Sequence, residues 1–337
     1  MRVLLILSFS VAALCAENTV KVIILAGQSN MEGKAKNKLL EYQAKAPKTK
    51  EHFAHLRKDG GWIEREDVMI KYLNRHGKLT IGYGSRERTG VELQLGHTLG
   101  DHYEEPVLLI KAAWGGHSLY QKFRSPSSGL PPGEKLAGEL EKARERTKKK
   151  NEKRKKNDPL PTMEDIKAGY GVSWREMLKE VRGTLENYET LFPSLKGATP
   201  EITGFVWFQG WNDQYNGAEI EYASNMEHFI KDVRKEFESP ELPFVIGMMG
   251  QNGSKEAKGA MKVIQDAQMA MEKLPKVKAV RTDVLIDKAA EALYPTWREN
   301  IPEWEKVGSD HGYHYLGSAI WLNRIGKSFA EALLELE

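Results

Sequence analysis

Cysteine is nearly absent from this chain: there is one, Cys15, in 337 residues. A lone thiol excludes an internal disulfide and every cysteine-rich metal site. A domain of this length buries enough core to be stable without cross-links. Long apolar runs are also scarce. The one at the start, Val3 to Leu14, follows Met1-Arg2 and ends in Ala13-Leu14-Cys15-Ala16. It is too short to cross a bilayer and has the build of a cleavable secretory signal. A buried first strand fits it poorly, because another strand begins at Val20. Leu14 is large for the processing that lipid-modifies a cysteine. The expectation is a signal peptide over residues 1–16, a mature chain of 17–337, export to the periplasm or beyond, and no stable membrane span. Cleavage beside Ala16 would also remove Cys15, and with it any thiolate nucleophile.

Charge of one sign is lacking too. Lys and Arg number 50 against 47 Asp and Glu, a net +3. Nucleic acid as a partner is not expected, because phosphate binding needs a concentrated basic surface. Neither Gly-x-Ser-x-Gly nor His-Glu-x-x-His occurs, which removes the α/β-hydrolase elbow and the common zinc-protease helix. No internal repeat is present. No cofactor and no metal is expected.

Against these absences stands an alternation of strands and helices. Val20 to Leu25, Pro106 to Ala113, Ile202 to Phe208, Leu242 to Met249 and Val277 to Ile286 are β-branched or apolar runs that end in turn residues. Val91 to His102, Ser173 to Leu191, Ala257 to Leu274 and Ala319 to Leu336 carry helical spacing. Such alternation predicts a mostly parallel sheet of βαβ units, with ligands beyond the carboxyl ends of the strands. Three polar and glycine clusters fall at that edge: Gly27-Gln28-Ser29-Asn30, Gly115-Gly116-His117-Ser118 and Gln209-Gly210-Trp211-Asn212-Asp213. One stretch breaks the pattern. Glu134 to Asn157 is dominated by Lys, Arg and Glu, within a charged helical insertion expected over 134–190. It reads as a solvated helix projecting from the domain, or as a basic arm that touches anionic polysaccharide.

Ser29 follows the first strand on a strand-to-helix turn, where a hydroxyl is exposed and backbone amides can face it. Taken alone it is equally a helix cap. His314, in Ser309-Asp310-His311-Gly312-Tyr313-His314, stands directly before the last helix with an acid and a glycine close by. On a loop, such an acid can orient the imidazole and fix its tautomer. The amides of Gly115 and Gly116 and the side-chain amide of Gln209 are candidate oxyanion donors, beside the Ser29 amide itself. Gln28, Asn30, Trp114, Trp211, Asn212 and Asp213 are candidate substrate contacts, and Tyr215 lies near the same mouth.

Gly27-Gln28-Ser29-Asn30-Met31, Trp114-Gly115-Gly116-His117-Ser118, Trp207-Phe208-Gln209-Gly210 and a late His314-Tyr315 occur in this order. The set resembles the sialate O-acetylesterase-like branch of the SGNH (GDSL-like) hydrolases, which includes carbohydrate esterase family six. The resemblance implies a flavodoxin-like three-layer α/β/α sandwich and metal-free removal of O-acetyl groups from an acetylated carbohydrate. By position it makes Ser29 the nucleophile and His314 the base, with a glycine of the 115–116 pair and Gln209 at the oxyanion. Two departures stand out. The family's Gln-Gly-Glu is Gln209-Gly210-Trp211 here, so a glutamate is missing and Asn212 or Asp213 would have to compensate. The usual Asp-x-x-His spacing is exceeded by one residue, so Asp310 serves only if a loop bulge absorbs the extra residue; a dyad, or an acid such as Asp213, is the alternative. Rival readings are a carbohydrate-binding protein left idle by a misplaced acid, and an esterase acting on non-carbohydrate esters.

Overall fold

The computed structural model describes residues 18–337; the expected signal segment, 1–16, lies outside the described residues. Seven strands form one sheet: β1 (Thr19–Gly27), β2 (Val68–Tyr72), β3 (Arg75–Lys78), β4 (Val107–Ala113), β5 (Thr199–Phe208), β6 (Phe244–Met248) and β7 (Val277–Arg281). Their spatial order is β7-β6-β5-β1-β4-β2-β3, and every neighbouring pair is parallel except the β2–β3 hairpin. With the hairpin set aside, the order is that of a flavodoxin-like sheet. The hairpin has no counterpart in the sequence reading. Residues 277–286 form a shorter strand than expected, ending at Arg281 and followed by a 3₁₀ turn at Asp283–Leu285.

Strands buried on both faces explain why the runs read as continuous rather than alternating. Ile23 and Leu25 face one core with Val206, Phe208 and Val245, while Val22, Ile24 and Ala26 face the other with Phe205, Trp207 and Ile246. The main helices are α1 (Ser29–Glu32), α2 (Glu92–His102), α3 (Gly133–Arg154), α4 (Val172–Leu191), α5 (Tyr222–Glu236), α6 (Gly259–Ala270) and α7 (Ala319–Leu334). Leu95 and Leu99 of α2 and Ile325 and Phe329 of α7 cover the first face. Met177 of α4, Phe229 of α5 and Ile264 of α6 cover the second. The result is the expected three-layer SGNH-type sandwich. Ser318 caps α7 by accepting the Trp321 amide at 3.2 Å, which starts that helix directly after the His314 loop.

The charged insertion divides in two. Leu136 is the one buried residue of α3, whereas α4, though inside the expected insertion 134–190, packs on the sheet as part of the sandwich. None of the described helices is long and apolar enough to cross a membrane.

One ion pair lies in the core. Lys111, in the middle of the sheet on β4, and Glu92, at the start of α2, are both 0% exposed. The Lys111 ammonium donates to Glu92 Oε2 at 2.9 Å, to the Tyr83 carbonyl at 2.9 Å and to the Glu32 carbonyl at 2.6 Å. All three of its protons are thus used. Glu92 accepts the Gly90 amide on its other oxygen at 2.8 Å. Burial pulls the Lys111 pKa down and Glu92 opposes it. Lys111→Met is expected to cost about 3–5 kcal/mol, since it leaves the Glu92 carboxyl without its partner in the core. Adding Glu92→Gln should recover a large part of that loss. Urea unfolding of the three proteins measures both effects.

Candidate active site

The ends of β1, β4 and β5 meet at the carboxyl edge of the sheet, where the strand order reverses direction. β1 stops at Gly27, where φ is +154° and a β-carbon would lie 2.3 Å from the Phe208 carbonyl oxygen. Only glycine fits there, and the backbone swings at once into α1 with Ser29 as its first residue. Amides at a helix start have no intrahelical acceptor. Accordingly, the Ser29 N–H donates to no group among the described residues.

His314 approaches from the opposite side. Its Nε2 lies 3.0 Å from Ser29 Oγ, and its Nδ1 lies 2.9 Å from Asp310 Oδ1. The extra residue between Asp310 and His314 is absorbed in a closed loop. The amides of Ser309 and Asp310 both donate to the Leu316 carbonyl, at 2.9 and 3.0 Å, and the Leu316 amide returns to the His311 carbonyl at 3.1 Å. The closure puts two non-glycine residues in the left-handed region, Tyr315 at φ 52° and Leu316 at φ 60°. Such residues cost on the order of 1 kcal/mol or more each and persist where packing over-determines them. Tyr315 is fully buried, and its hydroxyl takes the Gly250 amide at 2.9 Å and lies 2.8 Å from Thr282 Oγ1. Asn30 adds a further tie by donating to the Tyr313 carbonyl at 3.3 Å.

Burial disfavours ionisation of Asp310, but hydrogen bonds from His314, the His311 amide and Arg88 outweigh it. Together they hold the carboxyl well below the usual carboxylate range. Arg88 pairs with the Asp310 oxygen that His314 does not use. Nothing in the sequence marks Arg88: it is one of many arginines, far from the loop in the chain.

The expected oxyanion donors separate. The Gly115 amide is already engaged, donating to Glu32 Oε1 at 2.7 Å. Burial opposes the ionisation of Glu32, while Lys34, this amide and Ser85 keep its pKa low. Gln209 is also committed: its amide nitrogen donates to Asp213 at 2.6 Å and to the His117 carbonyl at 3.0 Å, and its side chain is buried. Gly116 differs. It sits at φ +77° with open space around its Cα, and its N–H has no acceptor among the described residues. Ser29 and Gly116 therefore remain as amides free to meet a developing oxyanion.

A cleft of about 460 Å³ opens over Ser29 and His314, with Trp211, Asn212, Tyr215 and Tyr313 along its walls. Of the candidate substrate contacts, Gln28, Trp211 and Asn212 line this cleft. Gln28 reaches the cleft floor, where its side chain ties the strand ends together by accepting the Gly210 and Asn212 amides, each at 3.3 Å. Asn30 and Trp114 are not among the residues lining this cleft. Asn30 is buried beneath the His314 loop, and Trp114 is half-buried, packing against His117 and Phe123 at the edge of the second core. Asp213 does not line it either: it is fully buried and accepts the Leu119 and Tyr120 amides at 2.9 and 2.7 Å, far from any acid role toward His314. Burial pushes its pKa up to about 6 against the pull of Gln209 and these two amides. Lys34 and Tyr313 line the cleft and were not anticipated. Among the described residues no cluster of His, Cys, Asp or Glu is arranged to hold a metal ion.

No curated protein sequence matches the chain. Among solved structures, a protein from Arabidopsis thaliana aligns at a TM-score of 0.54 and 15% identity, covering 94% of this chain and 98% of that one; this likeness shows the fold. A carbohydrate acetylesterase from Xanthomonas citri aligns at 0.49 and 12% identity, over 94% of this chain and 56% of that one. NanS aligns at 0.42 and 11% identity, over 78% of each chain. Neither of these last two likenesses bears on activity. A family profile described as carbohydrate esterase, sialic acid-specific acetylesterase matches residues 19–155 and 166–293, a span that includes Ser29 and stops short of Asp310 and His314. With well over half of its length matched, the chain belongs to this family of carbohydrate esterases.

Proposed function

We propose that the protein is a serine acetylesterase that removes O-acetyl groups from carbohydrate, of the sialate or acetylxylan type, through an acyl-enzyme. The observation that carries this reading is the hydrogen-bonded series Ser29 Oγ, His314 Nε2 and Nδ1, Asp310 Oδ1, with contacts of 3.0 and 2.9 Å. His314 takes the Ser29 proton as Oγ attacks the ester carbonyl, and Asp310 stabilises the imidazolium without taking its proton. The oxyanion is met by the amides of Ser29 and Gly116, and Asn212 faces the same cleft. His314 then gives its proton to the departing ester oxygen, so that the sugar leaves with a free hydroxyl. Water, deprotonated by His314, attacks the acetyl-serine and releases acetate.

The reading of an idle binding protein rested on a misplaced acid. The reach of Asp310 to His314 supports the catalytic reading over it. Residues 1–16 and their composition support export as part of the proposal.

Ser29→Ala is expected to lower kcat/KM on 4-nitrophenyl acetate and acetylated xylan by at least about a thousandfold. Turnover that survives in this variant would remove the assignment. Asp310→Asn should cost about 10²- to 10⁴-fold by misdirecting the imidazole, whereas Asp213→Asn should act on stability before rate.

A pH effect follows from the depressed Asp310 pKa. A carboxyl whose pKa is lower folded than unfolded adds stability that is full above its unfolded pKa of about 3.9 and fades as pH falls below it. Arg88→Met relieves part of the depression. The stability gap between wild type and this variant, read by urea unfolding, should be constant from neutral pH to about 5 and narrow on further acidification. A gap that widens in acid would contradict the assigned pairing.

A further inference from the structure

The loop that carries Asp310 and His314 has two lined sides. On one is the cleft over Ser29, with Trp211 and Tyr313. On the other is a second cleft of about 270 Å³, walled by Trp297, Trp304 and His311, with Lys36, Glu305 and Ser309 among the polar groups at its edge. Asp310 and Arg88 also line this second cleft, so it shares a wall with the Ser29–His314–Asp310 series, while the rings of Trp297, Trp304 and His311 take no part in the chemistry at Ser29.

A row of rings joins the two. Trp211 and Tyr313 have centroids 5.9 Å apart, Tyr313 stacks on His311 at 5.2 Å with planes 19° apart, and His311 meets Trp297 at 6.0 Å. Tyr313 is 39% exposed, and His311 and Trp297 are half-buried, so the row is open to solvent along its length. Trp304, nearly buried, forms the floor behind Trp297. The extra residue in the Asp310–His314 spacing belongs to this row: the enlarged loop presents two rings, His311 and Tyr313, between the acid and the base.

We propose that the two clefts form one carbohydrate track. The sugar bearing the acetyl group sits at Ser29, and neighbouring units of the same glycan chain run over Tyr313 and His311 to Trp297. Sugar units pair an apolar face with a hydroxyl rim. A run of open rings bordered by Lys36, Glu305 and Ser309 offers the matching surface, apolar in the middle and polar at the edge. Continuity with the catalytic cleft through one loop selects an extended glycan over a separate small ligand. This inference rests on the carbohydrate acetylesterase reading and specifies its substrate as an oligomer or polymer.

The test compares wild type, Trp297→Ala and Trp297→Phe on 4-nitrophenyl acetate and on acetylated xylan and glucomannan fragments of increasing length. For wild type, kcat/KM should rise with fragment length. In Trp297→Ala the ratio of kcat/KM on the longest fragment to that on the shortest should fall about tenfold, through KM, and Trp297→Phe should restore most of it. A general loss of folded protein cancels in this ratio. A flat length dependence in wild type, or a ratio untouched by Trp297→Ala, overturns the track alone. Ser29-dependent cleavage of 4-nitrophenyl acetate with no turnover of any acetylated glycan overturns the carbohydrate reading and the track with it.

Discussion

The arrangement at Ser29 depends on a charge buried beneath it. Lys111 sits in the middle of a parallel sheet, an environment that ordinarily excludes an ammonium, and is stabilised there by spending every proton. One goes to Glu92 on α2, one to the Tyr83 loop, and one to the Glu32 carbonyl at the end of α1. A four-residue helix has almost no stability of its own. Fixing its last carbonyl from below and its first residue behind Gly27 leaves Ser29 little freedom to drift from His314. Glu32, whose carbonyl is so held, also uses its side chain to engage the Gly115 amide. One residue thus sets both the pitch of the Ser29 helix and the direction of the glycine turn. The cost of a buried ion pair is offset by the alignment of three separate chain segments.

The long elements were legible because each is buried on a regular period. β1, β4 and β5 read as strands from their apolar runs, and α2, α4 and α7 from their helical spacing. The β2–β3 hairpin was not legible: Val68 to Ile70 is three apolar residues among charges, and Arg75 to Lys78 is polar throughout, so its pairing is set by the neighbouring strand. At the site, Ser29, His314 and Asp310 could be named from short local motifs and the family resemblance those motifs carry, since local sequence alone leaves Ser29 equally a helix cap. Which donors stay free could not be read. Gly115 and Gly116 are alike as letters, and only the folded position of Glu32 separates them. Gln209 and Asp213 share a buried pairing that removes both from the cleft. Arg88 is tied to Asp310 across more than 200 positions, a separation at which sequence carries no pairing signal.

The His314 loop shows how a departure in spacing is accommodated. An added residue would ordinarily swing Asp310 away from the imidazole. Here the chain turns back through two left-handed residues and closes on its own carbonyls, which returns the carboxylate to 2.9 Å from Nδ1. The strain is held by Tyr315, anchored in the core by its hydroxyl. Loop geometry and core packing are therefore one problem at this position, and the Asp310–His314 contact is decided by a residue that never faces the cleft.

The projecting α3 has a consequence for the molecule as a whole. Residues 134–157 hold 11 basic and five acidic side chains, while the entire chain has a net charge of only +3. The rest of the protein is therefore net negative, and its positive counterpart sits on a 22-residue helix about 33 Å long that buries almost nothing. Near-neutrality conceals an uneven distribution: residues 134–157 carry a net +6 and the rest of the chain a net −3. Any attraction of this helix to an anionic surface weakens as salt is added.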